Sequence, residues 1–504
     1  MKLFRLAAMV SMLLLASVSA FAQGMLTGAL TGTVTTDGAP LPGVTVTASS
    51  PALQGTRTSY TDENGNYNFV GLPPGEYTVR MELEGLQAVT RTARVTLSGT
   101  ARVDAAMSVA AMTEAITVTA SAPAVIETTE VQSNFQKQQV DSLPVGRGVQ
   151  AIANLAPGVV NNGPGNAMMI SGAMSYDNLV LVDGATVQEN LRGQTRPLYI
   201  EDAIQETTVI SGAVSAEFGR FTGGVITSVT KSGGNEFSGS VRDTLTDPSW
   251  TEPSKAGEAK AESKLGNTYE ATLGGRIIRD RLWFFAAGRF LETTNLARFP
   301  NLVGTSEQIF STTTNNRLQG KLTGQILPRH SVMATYLENP LDSTNDIQPI
   351  PAWEMSAFDP SFGQKEDFLS VNYNGIFTNN LLGEVNWSRR NFAFDSLGGD
   401  SQDLYTGTPL RTSITGASGV ANAPWFCGSC DTETRDMELL TGKLTYFLGS
   451  KSFGTHNIVG GFDSFKEMRT ANNWQSGSGV TVWLYHVIPQ RRADGRVMFT
   501  FDVG

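Results

Sequence analysis

The residues that could do chemistry are few and scattered. Cys427 and Cys430 are the only cysteines and stand as CxxC. In an oxidising compartment that spacing reads first as a local disulfide. A zinc site needs two further ligands, which no nearby pair offers. A redox CxxC needs a βαβ context that is missing. The three histidines, His330, His456 and His486, lie far apart, and neither HExxH nor a GxSxG elbow occurs. The acidic turn Asp62–Asn66 has its glycine at the wrong place for a calcium loop. The glycines around Gly163-Pro164-Gly165-Asn166 lack the lysine of a phosphate loop. Glu366-Asp367 and Asp436/Glu438 fall beside strand starts, where a solvated rim is expected. Asp183 precedes a glycine, and a tight turn explains it. The expectation is therefore no catalytic residue, no metal, no cofactor and no enzyme.

The elements around these residues are mainly β. The chain has 504 residues with 40% hydrophobic, 17% charged and 52 glycines, a mix that fits many strands and turns. A formal net charge of -10 argues against a nucleic-acid partner. The N-terminus has the form of a secretory signal: Lys2 and Arg5, an apolar run Leu6–Val18, then Ala20-Phe21-Ala22, with cleavage expected after Ala22. After it, residues 27–107 read as a small β-sandwich. Strands at Gly28–Thr35, Val44–Ala48, Tyr67–Val70 and Tyr77–Glu82 alternate with turns such as Asp62–Asn66 and Pro73-Pro74-Gly75.

Residues 124–231 are glycine-rich and compact. Leu179–Val182 runs into Asp183-Gly184; a second strand ends at Ser211-Gly212; a third is Val225–Thr230. From 235 to 504 strands alternate with period two. Tyr269, Ala271, Leu273, Gly275 and Ile277 share one face against Glu270, Thr272, Gly274 and Arg276. Leu369, Val371, Tyr373, Gly375 and Phe377 repeat this, as do Leu381, Gly383, Val385 and Trp387. Short turns at Ile278–Arg281, Pro328–Arg329, Thr378–Asn380 and Gly449–Gly454 alternate with long polar stretches near 292–315, 339–366, 391–434 and 470–492. That alternation is expected of an outer-membrane barrel and rare in soluble domains.

The order of these pieces closely resembles TonB-dependent outer-membrane transporters. The residues that carry the resemblance to their plug are Leu181-Val182-Asp183-Gly184, Ile204, Glu206, Gly212, Ser215–Gly219, and Gly223-Gly224-Val225-Ile226 to Thr230-Lys231. Residues 27–107 look like a carboxypeptidase regulatory-like domain, a transthyretin-like module that is non-catalytic in its family. Gly274–Phe285 resembles the first barrel hairpin of the Oar-like branch. The fold implied is a β-sandwich, an α+β plug and the first part of an antiparallel transmembrane β-barrel.

Between sandwich and plug lies a linker, 108–123. Its Glu114, Ile116, Thr117, Val118, Thr119 and Ala120 resemble a TonB box, a β-branched peptide that adds as a strand to an energy-coupling protein. The resemblance implies import of an organic nutrient (an oligosaccharide, a peptide or a siderophore-like compound) powered by that coupling protein from the periplasmic side. It implies location in the outer membrane, with lipid around the barrel. Aromatics at Trp353, Phe358, Phe362, Trp425 and Trp474 would serve a ligand of unknown identity at the outside. Asp183, Gly184, Gly212, Gly219, Gly223 and Gly224 would be structural. The other function considered is a surface binding or adhesion protein without transport. About ten barrel strands are expected here against about 22 in plugged transporters, so the sequence reads as an incomplete piece of a longer chain.

Overall fold

The computed structural model describes residues 27–53, 55–97, 99–109, 125–126, 131–163, 167–189, 194–215, 218–250, 265–298, 308–327, 329–346, 355–357, 359–378, 380–395, 401–414, 417–424, 433–450, 454–470, 476–484, 487–493 and 496–501. The proposed signal (1–22), the box-like residues Glu114–Ala120 and both Cys427 and Cys430 lie outside them.

The first unit is two packed sheets. Gly28–Thr36 pairs antiparallel with Asn66–Leu72 and parallel with Thr100–Arg102. The facing sheet has Gly55–Tyr60, Thr45–Ser50, Gly75–Glu82 and Val89–Val95 in spatial order. Alternation drives the sandwich: Tyr77, Val79 and Met81 point in, while the residues between them are exposed. They meet Leu30, Val34, Val46, Phe69 and Val95 in one core. The Asp62 carboxylate is spent on its own turn, where Oδ1 accepts the Asn64 and Asn66 N–H groups at 2.8 and 2.9 Å.

The second unit is a five-stranded sheet in the order Val131–Gln136, Ile204–Gly212, Val225–Thr230, Leu179–Val182, Ala185–Thr186. Leu179–Val182 is buried on both faces, which is why it reads as an unbroken apolar run. It pairs parallel with Val225–Thr230; the other ladders are antiparallel. Short helices at Lys137–Asp141 and Val149–Ala153 pack beside the sheet.

The third unit is a ten-stranded antiparallel sheet from Ser238–Thr246 to Gly454–Thr470. Its short connections fall where the sequence places them: Ile278 to Leu282, Leu327 to His330, Thr378 to Leu381 and Ser450 to Gly454. The long polar stretches differ from expectation. Strands Leu282–Arg298, Gln308–Leu327 and Asp359–Thr378 run on into them for 17, 20 and 20 residues. A 20-residue strand is about 66 Å long, against a hydrocarbon core of about 30 Å. The ladders therefore continue beyond the depth of a bilayer, carried by polar residues that hydrophobicity cannot mark. Within 401–501, Leu410–Ile414, Ala417–Ala421 and Val482–Leu484 form a separate small sheet.

The two faces of the large sheet are chemically different. Tyr269, Leu273, Leu318, Leu322, Phe377, Val385, Leu444 and Phe462 are exposed on its outer face. Glu270, Arg317, Lys321, Ser370, Asn372 and Arg390 are buried on the other, against the second unit. An apolar outside and a polar inside define a membrane barrel wall. Among the described residues, no helix is long and apolar enough to cross a membrane.

Candidate functional site: the seam between plug and wall

The five-stranded unit touches the wall through a chain of polar contacts. At its centre is Asp183. With φ of +48° at Asp183 and +78° at Gly184, the pair makes the two-residue turn between Leu179–Val182 and Ala185–Thr186. Such a turn demands left-handed backbone at both positions, which Asp-Gly supplies at least cost. Turn formation is half of its role. The Asp183 carboxylate is fully buried. Oδ1 accepts Thr230 N–H at 2.9 Å, and Oδ2 accepts the Thr230 hydroxyl at 2.6 Å. Lys321, from the wall, places Nζ 3.0 Å from Oδ2 and also donates to the Thr230 carbonyl at 2.9 Å. Thr335 and Asn372 add contacts from two more wall strands, the latter to the Asp183 carbonyl at 3.2 Å.

Around this centre the seam is ionic. Arg147 bonds Asp202 at 2.6 Å and reaches Glu270 on the wall. Asp202 also receives Lys137 and, from the wall, Arg242, each at 3.1 Å. Burial pushes the Asp202 carboxyl up; hydrogen bonds from Lys137 and Arg242 and the charge of Arg147 outweigh it, and the net shift is downward. Glu201 faces Arg289 at 3.1 Å and Arg317 at 3.5 Å, while Arg317 donates to the Tyr199 carbonyl. Arg196 holds Gln364 at 2.7 Å and Glu366 at 3.3 Å, with its guanidinium 4.3 Å from the Phe392 ring centre. Arg390 donates to the Gln188 carbonyl, and Arg220 meets Asp463 at 3.2 Å over the Phe465 ring. Apolar contacts across the seam are small: Leu337 and Phe368 join the plug core, and Phe285 and Ala287 meet Ile200 and Ala203.

The glycines singled out from sequence divide. Gly184 is required by its φ. Gly223 and Gly224 are required by space: a Cβ would lie 2.3 Å from Asn178 Oδ1 and 2.5 Å from Ile170 Cγ2, respectively. At Gly212 a Cβ would meet only Val131, at ordinary contact distance. Gly219 is buried beside Phe218. Glu366 corrects an expectation. It is not at a solvated rim but buried, bound by Arg196 and by Asn339 at 3.0 Å. The reason is parity: Glu366 lies on the inward side of its strand and its neighbour Asp367 does not. Sequence reasoning missed Lys321, Arg317, Gln319 and Arg147. Parity along Asn315, Arg317, Gln319 and Lys321 marks them as inward but does not name their partners. His330 contacts Tyr373 OH through Nδ1 at 2.7 Å and stacks on that ring.

A plug of this kind, pinned by charge inside a wall with a lipid-like exterior, defines the plugged receptors of outer membranes. The comparisons agree. Residues 29–108 match the carboxypeptidase regulatory-like domain, and residues 124–225 match the TonB-dependent receptor plug domain. Over 271 residues the chain is 37% identical to the TonB-dependent transporter Oar of Myxococcus xanthus, covering 49% of this chain and 25% of that protein. The fold is similar to the siderophore receptor PirA from Acinetobacter baumannii, with TM-score 0.51 and 15% identity over 68% of this chain and 49% of that one. The outer membrane transporter YddB from Escherichia coli gives TM-score 0.48 at 16% identity over 67% and 48%. Residues 29–108 thus form a carboxypeptidase regulatory-like domain and residues 124–225 a TonB-dependent receptor plug domain, and the chain is similar to TonB-dependent receptors. It spans a quarter of the length of the curated relative and about half of the solved receptors.

Proposed function

We propose that this chain is part of an energy-coupled importer that takes up an organic nutrient through the outer membrane. The observation that carries this is the character of the seam: the plug is held by ion pairs and hydrogen bonds, with little dry contact. Polar bonds can be exchanged for water as a plug shifts, so the shift does not require exposing a large apolar face.

The coupling segment in this reading is Glu114–Ala120, acting as an added strand on a TonB-type protein. Its flanks support the placement. Val109 bridges Leu86, and Val125–Ile126 pair with Arg102 and Ala101, so both flanks are fastened to the sandwich. The sandwich in turn sits at the short-turn end of the wall, where a Cβ on Gly71 would lie 3.5 Å from Leu382. Short turns are periplasmic in such barrels. Nutrient would enter from the opposite end, where Phe362, Phe392 and Phe394 cluster with Arg196 and Arg435. The segment Lys2–Ala22 would direct export, and Cys427–Cys430 would close a local disulfide outside.

Deleting Ile116–Thr119 tests the reading. Uptake of the nutrient should stop while binding to whole cells stays intact. Unchanged uptake would overturn the assignment of the box.

A further inference from the structure

The sandwich, the plug and the short-turn end of the wall enclose a cavity of about 170 Å³. Pro51, Thr56 and Pro73 line it from the sandwich, and Gln205, Val229 and Ser232 from the plug. The wall contributes Trp283, Thr323, Ser331 and Asn374. These wall residues face inward. Trp283 and Thr323 stand opposite each other, two places along from Phe285 and Lys321. Ser331 stands opposite Asn374, two places along from Asn372, which bonds the plug. The cavity therefore lies inside the wall, on the short-turn side of the plug, and the sandwich forms its floor.

The seat of the sandwich is built to part. Among the described residues, its buried core is drawn from 30–107 alone, so the module keeps that core wherever it stands. Two neighbours on one plug strand hold it. Gln205 Nε2 donates to the Pro74 carbonyl at 3.1 Å. Glu206 accepts the Leu97 N–H at 3.1 Å and has Arg94 at 3.9 Å. Between these points the surfaces do not close-pack; at 10–15 Å³ per water the gap has room for roughly a dozen. Interfaces that stay shut are packed as densely as organic crystals. Polar contacts around a wet gap exchange with water at little net cost, and the buried Glu206 carboxylate regains hydration as the sandwich leaves.

We propose that the sandwich is a movable cover over the short-turn mouth of the wall. Seated, it closes the space beneath the plug. Released from Gln205 and Glu206, it opens that space to the periplasm, so that whatever leaves the wall at this end must pass it. The cover stands on the geometry of the seat; a nutrient as the thing that passes rests on the import reading above.

The test reads thiol accessibility in outer-membrane fragments that carry the full chain with Cys427→Ser and Cys430→Ser. Ser331→Cys puts a thiol in the cavity, Thr378→Cys one at an exposed position beside a short turn, and Thr227→Cys one inside the plug. The probes are N-ethylmaleimide, which fits the cavity, and a polyethylene-glycol maleimide of several kilodaltons, which does not. At Ser331→Cys the small probe should react readily and the large one slowly; at Thr378→Cys both should react alike. Gln205→Ala combined with Arg94→Ala should speed the large probe at Ser331→Cys roughly tenfold, as expected for lost latch bonds, and leave Thr227→Cys unreactive. A large probe as fast as the small one in the chain with an intact latch would show an open mouth and overturn the cover. So would a slow rate that the latch variant leaves unchanged, or a rise shared by Thr227→Cys, which would mean that the plug itself had come apart. Uptake is not among these readouts. If import fails its own test above, a cover that opens still stands, and a mouth that stays open or shut leaves the import reading untouched.

Discussion

At the residue scale, the seam turns on a buried pair. Asp183 and Lys321 are both fully buried, one on the plug and one on the wall. Removing one partner of such a pair leaves a charge with nothing to answer it, at about 3–5 kcal/mol. Lys321→Met should therefore unseat the turn, seen as faster hydrogen exchange in Leu179–Val182 and Val225–Thr230. Asp183→Asn in the same chain should recover a good part of that loss, because no unpaired charge remains. Exchange in Lys321→Met equal to wild type would show that the pair does not hold the plug. Asp183 also shows how far a sequence is legible. Asp-Gly after an apolar run announces a turn through backbone sterics alone. That its carboxylate meets Lys321 depends on a contact 138 positions away along the chain (321 minus 183), which no local pattern encodes. The same holds for Glu366 and Arg196.

At the element scale, the wall strands were readable because a period of two leaves its mark directly: Leu381, Gly383, Val385 and Trp387 face outward as the alternation requires. Their ends were less readable. Beyond the membrane both faces turn polar, as in Thr312, Thr313, Thr314, Asn315 and Asn316, and the pattern vanishes while the ladder continues. The parallel pairing of Leu179–Val182 with Val225–Thr230 was also hidden, since it joins segments separated by a whole strand. The outward face gives a sharp prediction. Leu322 is exposed on the outside, and Thr323 beside it points inward. Leu322→Lys should destabilise the folded barrel by about 2–4 kcal/mol if it lies near the bilayer midplane. Thr323→Lys should cost much less. Urea unfolding in lipid vesicles measures both, and equal losses would contradict the assignment of faces.

At the scale of the whole molecule, the sandwich is joined to the plug by Glu206. Its Oε1 accepts the Leu97 N–H from the sandwich at 3.1 Å and an amide hydrogen of Asn134 at 2.7 Å. Burial raises its pKa, and the hydrogen bonds from Leu97 and Asn134 and the charge of Arg94 only partly oppose this. An acid whose pKa rises on folding holds its proton more tightly when folded. Its contribution to stability therefore falls as pH climbs from the ordinary carboxylate value, about 4.3, through the raised one, and is level above it. Glu206→Gln should flatten that fall. Thermal unfolding in steps upward from pH 4 checks this, and identical slopes for the two proteins would show that Glu206 does not titrate at the junction.

The fastening of Val109 and of Val125–Ile126 to the sandwich also sets a length. Residues 110–124 amount to roughly 50 Å of fully extended chain at about 3.4 Å per residue. A span of that contour, held at both feet, can reach no farther than about 25 Å from its base, half the contour. A protein that grips the tip must come almost to the barrel rim to do so. Once it pulls, the two-residue pairing at Val125–Ile126 is loaded before the plug strand Val131–Gln136, which is held by a longer ladder to Ile204–Gly212. Stretching a single molecule by this loop should thus give a small early release followed by a larger one.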